Sequence, residues 1–235
     1  MKKTGGYMLR YYFADSSVLT GKSIFSRCLQ SLPISRREKI MKYKNENAAC
    51  LSMAAGLLLK KAFSDLGLDS DNYEEVIDIY GRPSFLNCPV DYNLSHSGKI
   101  AMCCLCDFSK VGCDIEIIQN ASYRIAGHFY AVEENSLLNS LSNETERNEM
   151  FYRIWTLRES YGKCIGRGLN IPRGEYHIDF LDNSPQLIDC KTNSSFKLYE
   201  IFSVPGYSAS ICIEGNNPEK PENKGFLNLS PEVFD

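Results

Sequence analysis

Asp114 and Glu116 stand one residue apart in Asp114-Ile-Glu116. On a strand, alternate side chains share a face, so the two carboxylates project together with Cα atoms roughly 6.5 Å apart while Ile115 points into the core. Two anions on one face repel unless a cation lies between them, and hard oxygen donors suit Mg²⁺ with phosphate and water in the remaining positions. A second group is Trp155-Thr-Leu-Arg-Glu159-Ser-Tyr-Gly-Lys163. Trp155, Glu159 and Lys163 recur every four residues and so stack along one side of a helix. The plain reading is an exposed Glu159–Lys163 ion pair worth about 0.3–0.5 kcal/mol. The functional reading has Glu159 complete a three-carboxylate cation site while Lys163 meets a phosphate oxygen. A third group, Asn93-Leu-Ser95-His96-Ser97-Gly98, places small polar residues and an imidazole at a strand end, an anion-contacting turn. Adjacent Ser95 and His96 point to opposite strand faces and no G-x-S-x-G elbow occurs, so a serine hydrolase is a poor fit. The fourth group is basic: Arg36, Arg37, Lys39, Lys42 and Lys44, a local phosphate-binding potential in a chain of net charge −3.

These residues need a frame. Strands are expected at residues 8–13, 76–80, 91–94, 100–106 and 111–117, with Gly81-Arg82-Pro83 forcing a turn. Residues 35–68 read as two helical segments, the first capped by Ser35 with Glu38 three residues on, the second buried over 48–63. Residues 122–168 are helical, ending in a helix over 151–165 stopped by Gly166-Arg167-Gly168. Strands follow at 175–180, 197–204 and 207–214, and the tail from Gly215 reads as loop. The fold class is α+β, with a boundary near residues 107–122 drawn between halves 1–112 and 113–235.

Composition excludes much. The chain has 235 residues, 43% hydrophobic and 23% charged, an ordinary globular mix. A net charge of −3 gives no general reason to coat nucleic acid or an anionic membrane. The longest apolar stretches, such as residues 54–59, fall far short of the roughly 20 needed to span a bilayer. Residues 4–7 are small and polar where a signal peptide is apolar, so the expected location is cytoplasmic. The ten cysteines are scattered and read as small buried hydrophobes. Cys103 and Cys106 lie in a continuous apolar run, and His96, His128 and His177 supply no finger-like zinc spacing.

Taken in order, Tyr80-Gly-Arg-Pro83, Asn93-Leu-Ser-His-Ser-Gly98, Val111-Gly-Cys-Asp-Ile-Glu116 and Trp155-Thr-Leu-Arg-Glu-Ser-Tyr-Gly-Lys163 with Gly166-Arg-Gly-Leu169 resemble the 4′-phosphopantetheinyl transferases, in their larger, surfactin-synthetase-activating type. The resemblance implies two similar α+β halves in a pseudo-dimer, with coenzyme A as substrate in the cleft between them. It also implies transfer of the 4′-phosphopantetheine arm to a serine of an apo acyl or peptidyl carrier protein, with release of adenosine 3′,5′-bisphosphate. By this similarity Asp114, Glu116 and Glu159 hold Mg²⁺, and Lys163 contacts the pyrophosphate. His96 meets a coenzyme A phosphate, Gly81, Arg82 and Pro83 lie along the adenine, Arg36 and Lys39 face the ribose 3′-phosphate, and Ser95 lies near the nucleotide. Arg158 is assigned to the cofactor as well. Glu159, Lys163 and His96 are the expected catalytic groups, with Glu159 or a metal-bound water taking the serine proton. The family usually carries Lys where this chain has Arg82 and Arg158, and often an Arg where residues 48–52 have none. The chain is too long for the short trimeric relatives, so a monomer is expected. Two other readings compete: another Mg²⁺-dependent nucleotide or phosphate-transfer enzyme using the same carboxylates, and a non-catalytic carrier-protein or metal-binding module. No G-x-x-x-x-G-K-[ST] loop supports the first.

Overall fold

The computed structural model describes residues 7–189, 194–216 and 220–229. The first half runs β1 (Leu9–Asp15), α1 (Lys22–Gln30), α2 (Ile34–Met41), α3 (Glu46–Ser64), the short β2 (Glu75–Ile77) and β3 (Pro83–Phe85), then β4 (Asp91–Ser97) and β5 (Ile100–Cys106). The second runs β6 (Val111–Ile117), α4 (Tyr123–Phe129), α5 (Val132–Ser140), α6 (Glu144–Cys164), β7 (Tyr176–Leu181) and β8 (Ser184–Asp189), then β9 (Phe196–Ile201) and β10 (Tyr207–Glu214). Each half is a strand, a group of helices ending in a long one, a small hairpin and two more strands. Each sheet sets its first strand beside its third and its third beside its second, β1-β5-β4 and β6-β10-β9, all antiparallel. The α+β class holds.

Side-chain alternation builds the layers. In β5, Ile100, Met102, Cys104 and Cys106 enter the core between the two sheets, while Ala101, Cys103 and Leu105 face α3. Burial on both faces is why this strand reads as one unbroken apolar run. From α3, Met53, Leu57 and Leu58 are fully buried on that outer face, each contributing about 1.5–3 kcal/mol relative to exposure. In β6, Val111, Cys113 and Ile115 enter the inter-sheet core, which leaves Gly112, Asp114 and Glu116 on the face toward α6. Nine cysteines are described, all free and eight of them buried. Among the described residues, no helix is long and apolar enough to cross a membrane.

Helix α6 is set by its ends. Asn143 accepts the amides of Thr145 and Glu146 at its start, and Glu144 and Glu146 suit the positive end of the helix dipole. At its finish Gly166 turns left-handed at φ +74, and the Arg167 amide reaches back to the Gly162 carbonyl.

Several expectations are corrected. The cap of α2 is Pro33, whose carbonyl accepts the Arg36 and Arg37 amides, so Ser35 lies inside the helix. A boundary at 112/113 would cut β6. The tail is more than loop: β11 (Glu222–Phe226) runs parallel to β1 on the first sheet, giving the order β11-β1-β5-β4. Its residues are almost all exposed, so backbone pairing holds it and no apolar alternation announces it. Helix α1 was not expected, although Phe25, Cys28 and Leu29 on one of its faces pack on the first core.

Candidate active site

Strands β4 and β6 are the facing edges of the two sheets. Their join is made by side chains. Asp91, Asn93, Ser95 and Ser97, alternate residues of β4, accept the amide protons of Val111, Cys113, Ile115 and Ile117 at 2.8, 3.0, 3.3 and 3.2 Å. Each partner lies twenty positions further along the chain. The edge amides of β6 are thereby satisfied without a backbone ladder.

The same hydroxyls reach the acidic pair. Ser95 Oγ donates to Asp114 Oδ1 at 2.7 Å, and Ser97 Oγ donates to Glu116 Oε2 at 2.6 Å. From α6, Lys163 Nζ donates to Asp114 Oδ1 at 2.6 Å, to Ser95 Oγ at 3.0 Å and to the Cys113 carbonyl at 3.2 Å. Asp114 is only 2% exposed, and its Oδ2 has no hydrogen-bond partner among the described residues. A cleft of about 400 Å³ opens here. Its walls are Arg36 and Lys39 of α2, Ala55 of α3, Pro83, Leu94, Ser95 and His96, Asp114 and Glu116 of β6, and Trp155, Glu159 and Lys163 of α6.

Electrostatics follow from this crowding. Burial, then the charge of Asp114, pushes the Glu159 carboxyl up to about 7, with Glu116 adding to the rise and Lys163 opposing it. Glu116 is raised mainly by burial and by Asp114, against its hydrogen bond from Ser97. Burial alone would lower Lys163, but Asp114 and Glu159 outweigh it and hold the ammonium above the ordinary lysine value. His96, at the rim, is lowered by partial desolvation and by the positive field of Lys163, Arg36 and Lys39.

Not every expected residue reaches the cleft. Of Gly81, Arg82 and Pro83, only Pro83 lines it. Arg82 is a clamp: its Nε donates to the Lys163 carbonyl at 2.9 Å, and its Nη2 to Asp91 Oδ2 at 2.6 Å and the Val111 carbonyl at 3.1 Å. The guanidinium carries its donors in a rigid planar fork, which spreads Nε and Nη2 over three acceptors. Arg158 sits one residue, about 100° of helix, away from Glu159 and so points elsewhere. It is 5% exposed, donates to both oxygens of the fully buried Glu134 at 2.9 Å, and lies 4.2 Å over the Tyr176 ring. Arg37 is likewise spent, on the Leu32 and Gln30 carbonyls at the end of α1.

The profile of the 4′-phosphopantetheinyl transferase superfamily matches residues 110–212, from the strand of Asp114 and Glu116 past the helix of Glu159 and Lys163. The 4′-phosphopantetheinyl transferase gsp of Aneurinibacillus migulanus is 28% identical over 194 residues, covering 81% of this chain and 80% of the relative. The transferase Sfp of Bacillus subtilis (strain 168) is 28% identical over 193 residues, covering 80% and 84%. Over residues 110–212 the chain is similar to the 4′-phosphopantetheinyl transferase superfamily. A holo-(acyl-carrier-protein) synthase from Bacillus anthracis str. Ames, solved in complex with CoA (3′,5′-ADP), is 17% identical with a TM-score of 0.39, over 46% of this chain and 97% of that one.

The resemblance implies a divalent ion. Among the described residues, no three His, Cys, Asp or Glu side chains are grouped closely enough to hold one as placed. The donor chemistry nevertheless suits Mg²⁺: three hard carboxylates share one cleft, and the buried Asp114 Oδ2 lacks a partner among the described residues. Sequence reasoning missed Ser97, the Arg82 clamp and the Glu134–Arg158 pair. The first had a signal, since polar residues alternate from Asp91 to Ser97 against a strand twenty residues on.

Proposed function

We propose that this cleft moves the 4′-phosphopantetheine arm of coenzyme A onto a serine hydroxyl of an apo acyl or peptidyl carrier protein. The serine oxygen bonds to the phosphorus bearing the pantetheine, the bond from that phosphorus to the bridging oxygen breaks, and adenosine 3′,5′-bisphosphate leaves. The observation carrying this reading is that the Asp114, Glu116 and Glu159 carboxylates share one cleft with Lys163, His96, Arg36 and Lys39 at the seam between two sheets. Mg²⁺, held by Asp114, Glu116 and Glu159, supplies neutralising charge to the diphosphate.

The chain's own groups do the rest. Lys163, kept charged by Asp114, lies against the diphosphate oxygens as negative charge shifts to the leaving one. His96, its affinity for a proton lowered, donates a hydrogen bond from a neutral ring. Arg36 and Lys39 on the α2 wall meet the ribose 3′-phosphate. Glu159, in the same cleft, is the residue of this chain that would accept the serine proton. Both walls come from one chain, so a monomer suffices.

The test is incubation with coenzyme A, Mg²⁺ and a panel of apo acyl and peptidyl carriers, followed by intact-mass measurement. At least one carrier gains the mass of one phosphopantetheine arm. A folded, coenzyme A-binding preparation that modifies none of them overturns the reading. Glu159→Gln is expected to abolish transfer, and near-normal turnover in that variant would remove Glu159 from the mechanism.

A further inference from the structure

The seam holds a residue that neither the motifs nor the reaction assigns. Ser97 Oγ accepts the Ile117 amide proton at 3.2 Å and lies 2.6 Å from Glu116 Oε2. A hydroxyl has one proton to give. With the amide directed at its oxygen, that proton goes to the carboxylate, in a short charge-assisted bond. Glu116 is half-buried and its side chain is long, so holding it in one rotamer carries an entropic cost that a ligand otherwise meets on binding. We propose that Ser97 is a positioning residue that fixes the Glu116 carboxylate for ion binding, so that a strand of the first half sets ligand geometry in the second. The inference rests on the cation-site reading above.

The other seam residues make this separable. Asn93 accepts the Cys113 amide in the same manner at 3.0 Å, yet its hydrogen bonds touch no carboxylate. Ser95 is shared between Asp114 and Lys163, so its loss would mix two effects. Ser97 joins the Ile117 amide to the Glu116 carboxylate and, unlike Ser95, accepts no bond from Lys163.

Mn²⁺ binding to the whole protein, followed by electron paramagnetic resonance, provides the test, with melting temperature measured alongside. Ser97→Ala is expected to weaken Mn²⁺ by about tenfold, the usual scale for losing a hydrogen bond to a metal ligand. Ser97→Thr keeps the hydroxyl and should stay within about threefold of wild type, whereas Ser97→Cys, a poor donor of similar size, should follow the alanine variant. Asn93→Ala loses an equivalent seam bond and should lower the melting temperature while leaving Mn²⁺ affinity within about twofold. Wild-type affinity in both Ser97→Ala and Ser97→Cys overturns the proposal while Glu116→Ala still weakens binding. Equal weakening in Asn93→Ala also overturns it, since the effect then belongs to the seam as a whole. If wild type binds no Mn²⁺, or Glu116→Ala binds it unchanged, the cation-site reading fails and the proposal falls with it.

Discussion

Lys163 could have spent its charge on Glu159 one turn back, but its ammonium reaches across to Asp114 instead. Glu159 is left among carboxylates, and the proton it binds at about 7 is one that an ordinary glutamate, at 4.5, has already released. Between those values the folded ion-free chain binds a proton that the unfolded chain does not, so stability falls as pH rises from about 4.5 to about 7 and levels off above. Glu159→Gln removes this contribution: its melting temperature should decline less across that window than wild type does. Equal slopes in both proteins would show that Glu159 is not the group titrating. Glu134 presents the opposite case. It accepts from Arg158, from the Ala131 amide at 2.8 Å and from the Ile178 amide at 2.8 Å, with no exposure at all. Glu134→Ala leaves a guanidinium buried without its partner, and urea unfolding should register a loss of about 3–5 kcal/mol. Adding Arg158→Leu should recover part of that loss but not the two orphaned amides.

The long helix α6 delivers Glu159 and Lys163 to β6 because the strand lets it come close. A Cβ on Gly112 would collide with the Ser160 carbonyl and the Cys164 amide nitrogen, and one on Gly162 with the Gly168 carbonyl. Neither obstacle is a flexible side-chain tip, so the helix itself must shift. Gly112→Ala is therefore expected to lower both the melting temperature and the transfer rate, because Lys163 is carried away from Asp114. A variant with wild-type rate would mean that the helix tolerates the displacement. Elements of this kind were legible in the sequence: β5, β6 and β10 were expected at 100–106, 111–117 and 207–214, where they are found. Strong alternation or full burial wrote them plainly. The side-chain destinations were harder to read. Arg82 and Arg158 were assigned to the nucleotide by position in a motif, yet one clamps α6 to β6 and the other is buried against Glu134. Helical phase separates Arg158 from Glu159, but only the location of α5 and β7 reveals what it meets.

Two copies of one connectivity meet at the cleft, and only the second lines it with carboxylates. β1, the counterpart of β6, has no acidic residue before Asp15, and α3, the counterpart of α6, has only Glu46, in its first turn. The first half contributes instead the Arg36 and Lys39 wall and the polar row of β4. Its sheet differs in one further respect, the extra strand β11 on the edge of β1 away from the cleft. That strand covers open backbone groups, the Leu227 amide bonds the Phe13 carbonyl at 2.8 Å, and Leu229 is buried in the α3 layer. Burying one leucine is worth about 1.5–3 kcal/mol, and the uncovered edge of β1 would offer itself to other chains. Ending the chain after Gly215 should accordingly lower the unfolding free energy by at least about 2 kcal/mol and promote self-association. No residue of β11 lines the cleft, so single-turnover transfer, corrected for the folded fraction, should stay at the full-length rate. A truncated protein that is stable and monomeric would show that the first sheet does not need its fourth strand. One that folds but no longer transfers would give the returning tail a part in receiving the carrier.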